Sequence, residues 1–234
     1  MHTESHTHKD RNTVPIVRTG IFGGSFNPIH NGHITLARQL AAASALDEVW
    51  FMVSPQNPLK EAGSLMPDDV RLGLVRRALA EEPVLRASDY EFHLPRPSYT
   101  WNTLQSLTAD FPYRRFALLI GGDNWLLFPR WYHSADIVSK YPVIVYPRRN
   151  EDTGNIASDV TNEEAEACPT GEDMLSPGVH FVRATLLDIS STMIRSLVRQ
   201  GRSVHGLVPP QIENEVVRIY ASEEENGLGT HVEQ

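Results

Sequence analysis

The chain has 234 residues, 41% of them hydrophobic, enough for one sizeable core and too apolar for a chain disordered throughout. Its single cysteine, Cys168, excludes an internal disulfide framework and fits a reducing cytoplasm, where we expect the protein to reside. The formal charge of −8 is carried entirely by residues 151–178, with eight acids and no Lys or Arg. The rest sums to zero, with 18 of the 21 basic residues being arginine, whose planar fork suits phosphate and carboxylate.

In chain order, residues 1–15 (MHTESHTHKDRNTVP) are polar and His-rich. They predict a flexible tail without the apolar segment of a signal peptide, and their three histidines are only a weak metal signal. A buried strand is expected over about 16–22, ending in glycine, and HITLARQLAAASAL follows with helical spacing. A strand at EVWFMVS, a helix at PDDVRLGLVRRALAEE, a short strand near VLRAS and a helix at SYTWNTLQSLTADF come next. RRFALLIGG reads as a strand, WYHSADIVSK as a helix and PVIVYP as a strand. The acidic stretch 151–178 has no clear period and predicts a solvated insertion loop. A strand at VHFVRATLL, a helix at SSTMIRSLVRQG and a last helix at PPQIENEVVRIYAS complete the order, before a C-terminal tail over 221–234. No apolar run approaches the roughly 18 residues of a membrane span, so no membrane partner is expected.

Strands alternating with helices predict one α/β domain over 16–220. The expected fold is Rossmann-like and doubly wound, a mostly parallel sheet with helices on both faces and ligands outside the carboxyl ends of the strands. The segment GGSFNPIHNGH, residues 23–33, falls at such an end. Gly23 and Gly24 lack a Cβ and let a ligand approach the backbone. Pro28 fixes a turn, and the helix begins near Asn31 or His33. Its N-terminal N–H groups and partial positive charge suit phosphate, with His30 and His33 about one turn apart beside them. The alternative is that one histidine caps the helix or packs; two at this spacing favour phosphate. Neither G-x-G-x-x-G nor G-K-[ST] occurs. No metal site on the protein is expected, because these histidines have no clear third ligand at metal spacing and no cysteine pair. DISSTMIRSLVRQG, residues 188–201, predicts a second helix entry. Ser190 or Ser191 is its N-cap, its hydroxyls are phosphate donors, and Arg195 lies one turn on.

GGSFNPIHNGH and ISSTMIR resemble the two signatures of the nucleotidyltransferase superfamily that carries an HxGH motif. VSPQNPLK, PSYTWNTL, LLIGGDNWLLFPRW, SADIV and YPRR are similar to the bacterial nicotinate-nucleotide adenylyltransferase branch, in its order, from about residue 16 to 220. The resemblance implies adenylyl transfer from ATP to nicotinate mononucleotide, giving nicotinate adenine dinucleotide and pyrophosphate in NAD biosynthesis. It implies that Gly23, Gly24, Ser25 and Phe26 lie along the phosphates, Ser25 also touching the mononucleotide. His30, His33 and Arg195 would be catalytic and hold ATP, together with Lys60, Gly121, Asp123, Ser191 and Thr192. Tyr99, Thr100 and Trp131 would form the nicotinate pocket, with Arg148 near the nucleotide. Mg²⁺ would be held mainly by ATP phosphates and water. Asn27, Gly122 and Trp125 depart from the commoner Asp, Ala and Leu, and the resemblance assigns Asn27 no role.

ATP and nicotinate mononucleotide are the expected partners, with no nucleic acid, and homo-oligomerisation is left open. The alternatives are the same chemistry on nicotinamide mononucleotide or on both acceptors, and a non-enzymatic nucleotide sensor. Both phosphate motifs are intact and the short flanks hold no DNA-binding module, which counts against the sensor.

Overall fold

A computed structural model of the chain describes residues 15–55, 65–147 and 176–221. Strand β1 (Val17–Gly24) lies at the centre of a six-stranded sheet. Around it are β2 (Glu48–Val53), β3 (Leu85–Ser88), β4 (Arg114–Gly121), β5 (Pro142–Tyr146) and β6 (Gly178–Phe181), in the order β3-β2-β1-β4-β5-β6. All five pairings are parallel, so each strand needs a crossover and the interior strands are covered on both faces. That is why β4 and β5 read as nearly unbroken apolar runs. The predicted doubly wound sheet is present, and it is parallel throughout.

The crossovers supply helices α1 (Asn31–Ala43), α2 (Asp68–Ala78), α3 (Thr100–Asp110), α4 (Gly122–Leu127) and α5 (Ser134–Lys140), followed by α6 (Ser191–Arg199) and α7 (Pro210–Ala221). One core packs Leu40, Leu74, Ile194 and Val216 of α1, α2, α6 and α7 against Phe22, Phe51 and Ile144. The other packs Leu104, Leu107 and Ile137 of α3 and α5 against Ile21, Phe116 and Val143. No described helix is long and apolar enough to cross a membrane.

Four boundaries differ from the sequence reading, each for a local reason. Strand β1 runs on through Gly23 and Gly24, which pair with Met52 and Val53. Helix α5 starts at Ser134, three residues late, because a 3₁₀ turn occupies Phe128–Arg130 and His133 is left-handed at φ 56°. Helix α4 follows β4 directly, where GGDNWLL gave no amphipathic period. The strand expected over 179–187 ends at Phe181. Beyond it the Gln39 side-chain amide takes over the backbone of Thr185, donating to its carbonyl (3.0 Å) and accepting from its N–H (2.8 Å).

Candidate active site

The chain runs from β1 outward to β3, returns to β4 and runs outward the other way to β6, so connections diverge between β1 and β4. At that switch point a crevice opens at the carboxyl ends of the strands, and most of the described candidate residues converge there.

On one side stands the turn after β1. His30 occupies the N-cap position of α1 in extended backbone, yet its side chain makes no capping hydrogen bond, which removes capping as its purpose. The His30 and His33 rings stack at 3.6 Å between centroids, 22° apart. His33 also meets the Phe26 ring edge-on at 5.1 Å. Gly32 makes this stack fit, since a Cβ there would lie 3.0 Å from Nδ1 of His30. The Phe26 ring is itself core, 3% exposed, at φ 46°, so only its backbone can face a nucleotide.

Helix α6 closes onto the same turn. Ser190 is the N-cap, its hydroxyl accepting from the N–H of Met193 at 3.1 Å. Ser191 donates to the carbonyl of Pro28 at 2.8 Å. Arg195 donates to the carbonyl of Asn27 at 2.6 Å and to the hydroxyl of Thr192 at 3.2 Å. The two phosphate motifs, more than 150 residues apart in sequence, are therefore hydrogen-bonded to each other.

On the other side lies a cavity of about 340 Å³ lined by Gly23, Gly24, Thr100, Gly121 and Trp131 among the expected residues. Asp123 sits in the first turn of α4, whose Asn124 lines the cavity. Trp131 ends the 3₁₀ turn, its N–H bonded to the carbonyl of Phe128 at 2.9 Å, which sets its ring at the cavity wall. Tyr99, 45% exposed, instead packs on Tyr132 at 4.9 Å and stands outside the lining. Trp125 packs between Phe128 and Phe181 and is likewise absent from the wall. Lys60 and Arg148 lie outside the described residues.

Several residues of the site had no recognisable signal. The Asn27 side-chain oxygen accepts from Tyr220 of α7 at 2.6 Å and from the N–H of Met66 at 3.3 Å, making it a junction of the fold. Glu91, 9% exposed, lines the cavity with Ser54, Ser98 and Arg96. Thr103 donates to its carboxyl at 3.0 Å, and burial pushes that carboxyl above the usual range, partly offset by hydrogen bonds from Thr103 and Ser54. Arg71 is fully buried within a helix that reads as amphipathic; an arginine at such a position normally signals surface.

Comparison with known proteins bears on the family and the fold. The cytidylyltransferase-like family matches residues 21–197. A protein of Bacteroides thetaiotaomicron named "Probable nicotinate-nucleotide adenylyltransferase" is 44% identical over 204 residues, covering 87% of this chain and 92% of its own. Its namesake from Bacteroides fragilis is 42% identical over 201 residues, covering 86% and 92%. Among solved structures, Plasmodium falciparum nicotinic acid mononucleotide adenylyltransferase complexed with NaAD has the same fold at a TM-score of 0.65 and 15% identity, over 89% of this chain and 98% of that one.

Proposed function

We infer that this chain, which belongs to the nicotinate-nucleotide adenylyltransferases within the cytidylyltransferase-like family, joins ATP and nicotinate mononucleotide into nicotinate adenine dinucleotide with release of pyrophosphate. It is an enzyme of NAD biosynthesis. The observation that carries the reading is the seam between the two phosphate motifs, Ser191 to Pro28 and Arg195 to Asn27, set beside a cavity walled by Trp131.

The attacking group is the phosphate of the mononucleotide, already largely ionised near neutral pH, so no side chain has to remove a proton. What the protein contributes is alignment and neutralisation of charge on the α-phosphoryl and the departing pyrophosphate. In this reading His30 and His33 present imidazole N–H donors at the start of α1, beside the helix N–H groups and dipole. Arg195 and Thr192 close from α6, with Ser191 holding that helix against the turn. Gly23, Gly24 and the Ser25–Phe26 backbone run beneath the phosphates; nothing lies within 4 Å of a Cβ built on Gly23, which leaves room for a ligand there. Gly121 and Asp123 serve the adenosine, while Thr100 and Trp131 hold the pyridine ring.

Mg²⁺ supplies charge neutralisation across the phosphates when bound. It would be held mainly by ATP phosphate oxygens and water, because Mg²⁺ keeps several waters and favours substrate phosphates over all-protein cages. For the setting we propose the cytoplasm, supported by the lone cysteine.

The test is pyrophosphate release with ATP and Mg²⁺, comparing kcat/KM for nicotinate and nicotinamide mononucleotides. We expect a preference for the acid of about a hundredfold, roughly 3 kcal/mol. Equal rates would make the enzyme dual-specific, and no turnover with either would remove the assigned reaction.

A further inference from the structure

The site has two halves, a phosphate turn after β1 and a pyridine cavity whose wall includes the end of β2. Adenylyl transfer requires both substrates to be held at one separation, in line. One buried side chain links the two halves. Arg71 of α2, fully buried, donates from Nη1 to the carbonyl of Ser25 in the phosphate turn at 2.5 Å. From Nη2 it donates to the carbonyl of Ser54 at the end of β2 at 2.9 Å, and to a carboxylate oxygen of Asp68 at 2.6 Å. Its Nε donates to the carbonyl of Met66 at 2.9 Å.

The guanidinium is planar and rigid, so its two terminal nitrogens hold the Ser25 and Ser54 carbonyls at a set spacing. Each of those residues belongs to a different half. Ser25 leads into Phe26 and the histidine helix, while Ser54 lines the cavity. The hydroxyl of Ser54 also bonds Glu91, another cavity residue. The Ser25 carbonyl is drawn toward α2, and because its peptide is trans the N–H of Phe26 points the opposite way. From the other flank Arg195 and Ser191 draw off the carbonyls of Asn27 and Pro28. Three carbonyl dipoles of the turn are thus committed to protein donors. A buried cation without partners would be costly; here one carboxylate and three carbonyls satisfy it.

We propose that Arg71 is a positioning residue that sets the separation between the nucleotide-phosphate and mononucleotide halves of the site. The proposal rests on the reaction assigned above. It touches neither substrate itself. Its effect belongs on ligands that span both halves, and on the step that joins them, more than on either substrate alone.

The experiment is Arg71→Lys, which keeps the charge and loses the fork. We expect kcat to fall about tenfold or more, the loss typical of a sub-ångström to ångström misplacement, with KM for each substrate changed by less than about threefold. By calorimetry, the dinucleotide product should bind about tenfold more weakly, while a non-hydrolysable ATP analogue and nicotinate mononucleotide alone stay within about twofold. A purely structural arginine would lower Tm while leaving kcat and product affinity per folded enzyme unchanged, and that result overturns the proposal. So does an equal loss of all three affinities. If Arg71→Lys does not fold, Asp68→Ala decides: it removes the carboxylate that holds Nη2 beside the Ser54 carbonyl, and an unchanged kcat overturns the proposal. Wild-type turnover in the same assay separates the two claims. Its absence removes the assigned reaction and the proposal together, whereas normal wild-type turnover with an unaffected variant removes the proposal alone.

Discussion

His30 and His33 stand out in the sequence because two imidazoles at helical spacing follow a glycine turn. Their geometry follows from neighbours that no periodicity announces. Gly32 makes room for the His30 ring, and Phe26 supports the face of the pair. His33 is half-buried and rests against His30 and Phe26 at the edge of the core, so His33→Ala should keep the fold at a modest cost in stability. It should lower kcat about a hundredfold, roughly 3 kcal/mol, as expected for one lost transition-state donor. Circular dichroism with steady-state kinetics checks both halves, and near-normal kcat would remove His33 from catalysis. Arg71, Glu91 and Asn27 lacked such a signal. A buried arginine or glutamate looks like its exposed counterpart until its partners are known, and those partners are mostly backbone carbonyls or hydroxyls from other segments.

Elements were legible where periodicity or β-branching dominates. Strands β1 to β5 and helices α1, α2, α3, α6 and α7 lie where the apolar pattern places them, within a few residues, whereas β6 stops six residues short of its expected end. The short pieces were not: α4 and the 3₁₀ turns at Tyr90–His93 and Phe128–Arg130 are too brief to establish a period. Helix α6 shows an element whose start is chemical as well as periodic. Its N-cap is Ser190, the first of the two candidates, and the hydroxyl captures the N–H of Met193. Ser190→Ala should cost about 1 kcal/mol, measured as a shift of the urea midpoint at constant m. Since α6 carries Ser191, Thr192 and Arg195, fraying of its first turn should also raise KM for ATP. An unchanged midpoint would mean the cap is dispensable once α6 is packed.

Across the molecule, the last two described helices meet at one residue of the turn after β1. Tyr220 of α7, fully buried, donates to Asn27 of the phosphate turn across 193 positions, and Arg195 of α6 binds the carbonyl of the same asparagine. Tyr220→Phe keeps the ring and deletes that bond, so stability should fall by about 1 kcal/mol, or roughly 2–4 °C in Tm for a chain of this size. A scanning-calorimetry trace that does not move would show the hydroxyl contributes nothing net. The alternation of strand and helix periods, hence a doubly wound and mostly parallel sheet, was legible along the chain, as were the two phosphate motifs with their family. Local spacing is enough for both, because periodicity and short motifs act within a few turns of chain. Which residues join those motifs into one site came from the folded arrangement alone. The Ser191–Pro28 and Arg195–Asn27 seam, the Arg71 bridge and the packing of Trp125 away from the cavity depend on contacts between segments distant in sequence. Such contacts are fixed by how the sheet orders its strands around the β1–β4 switch point, and local propensity carries no record of that order.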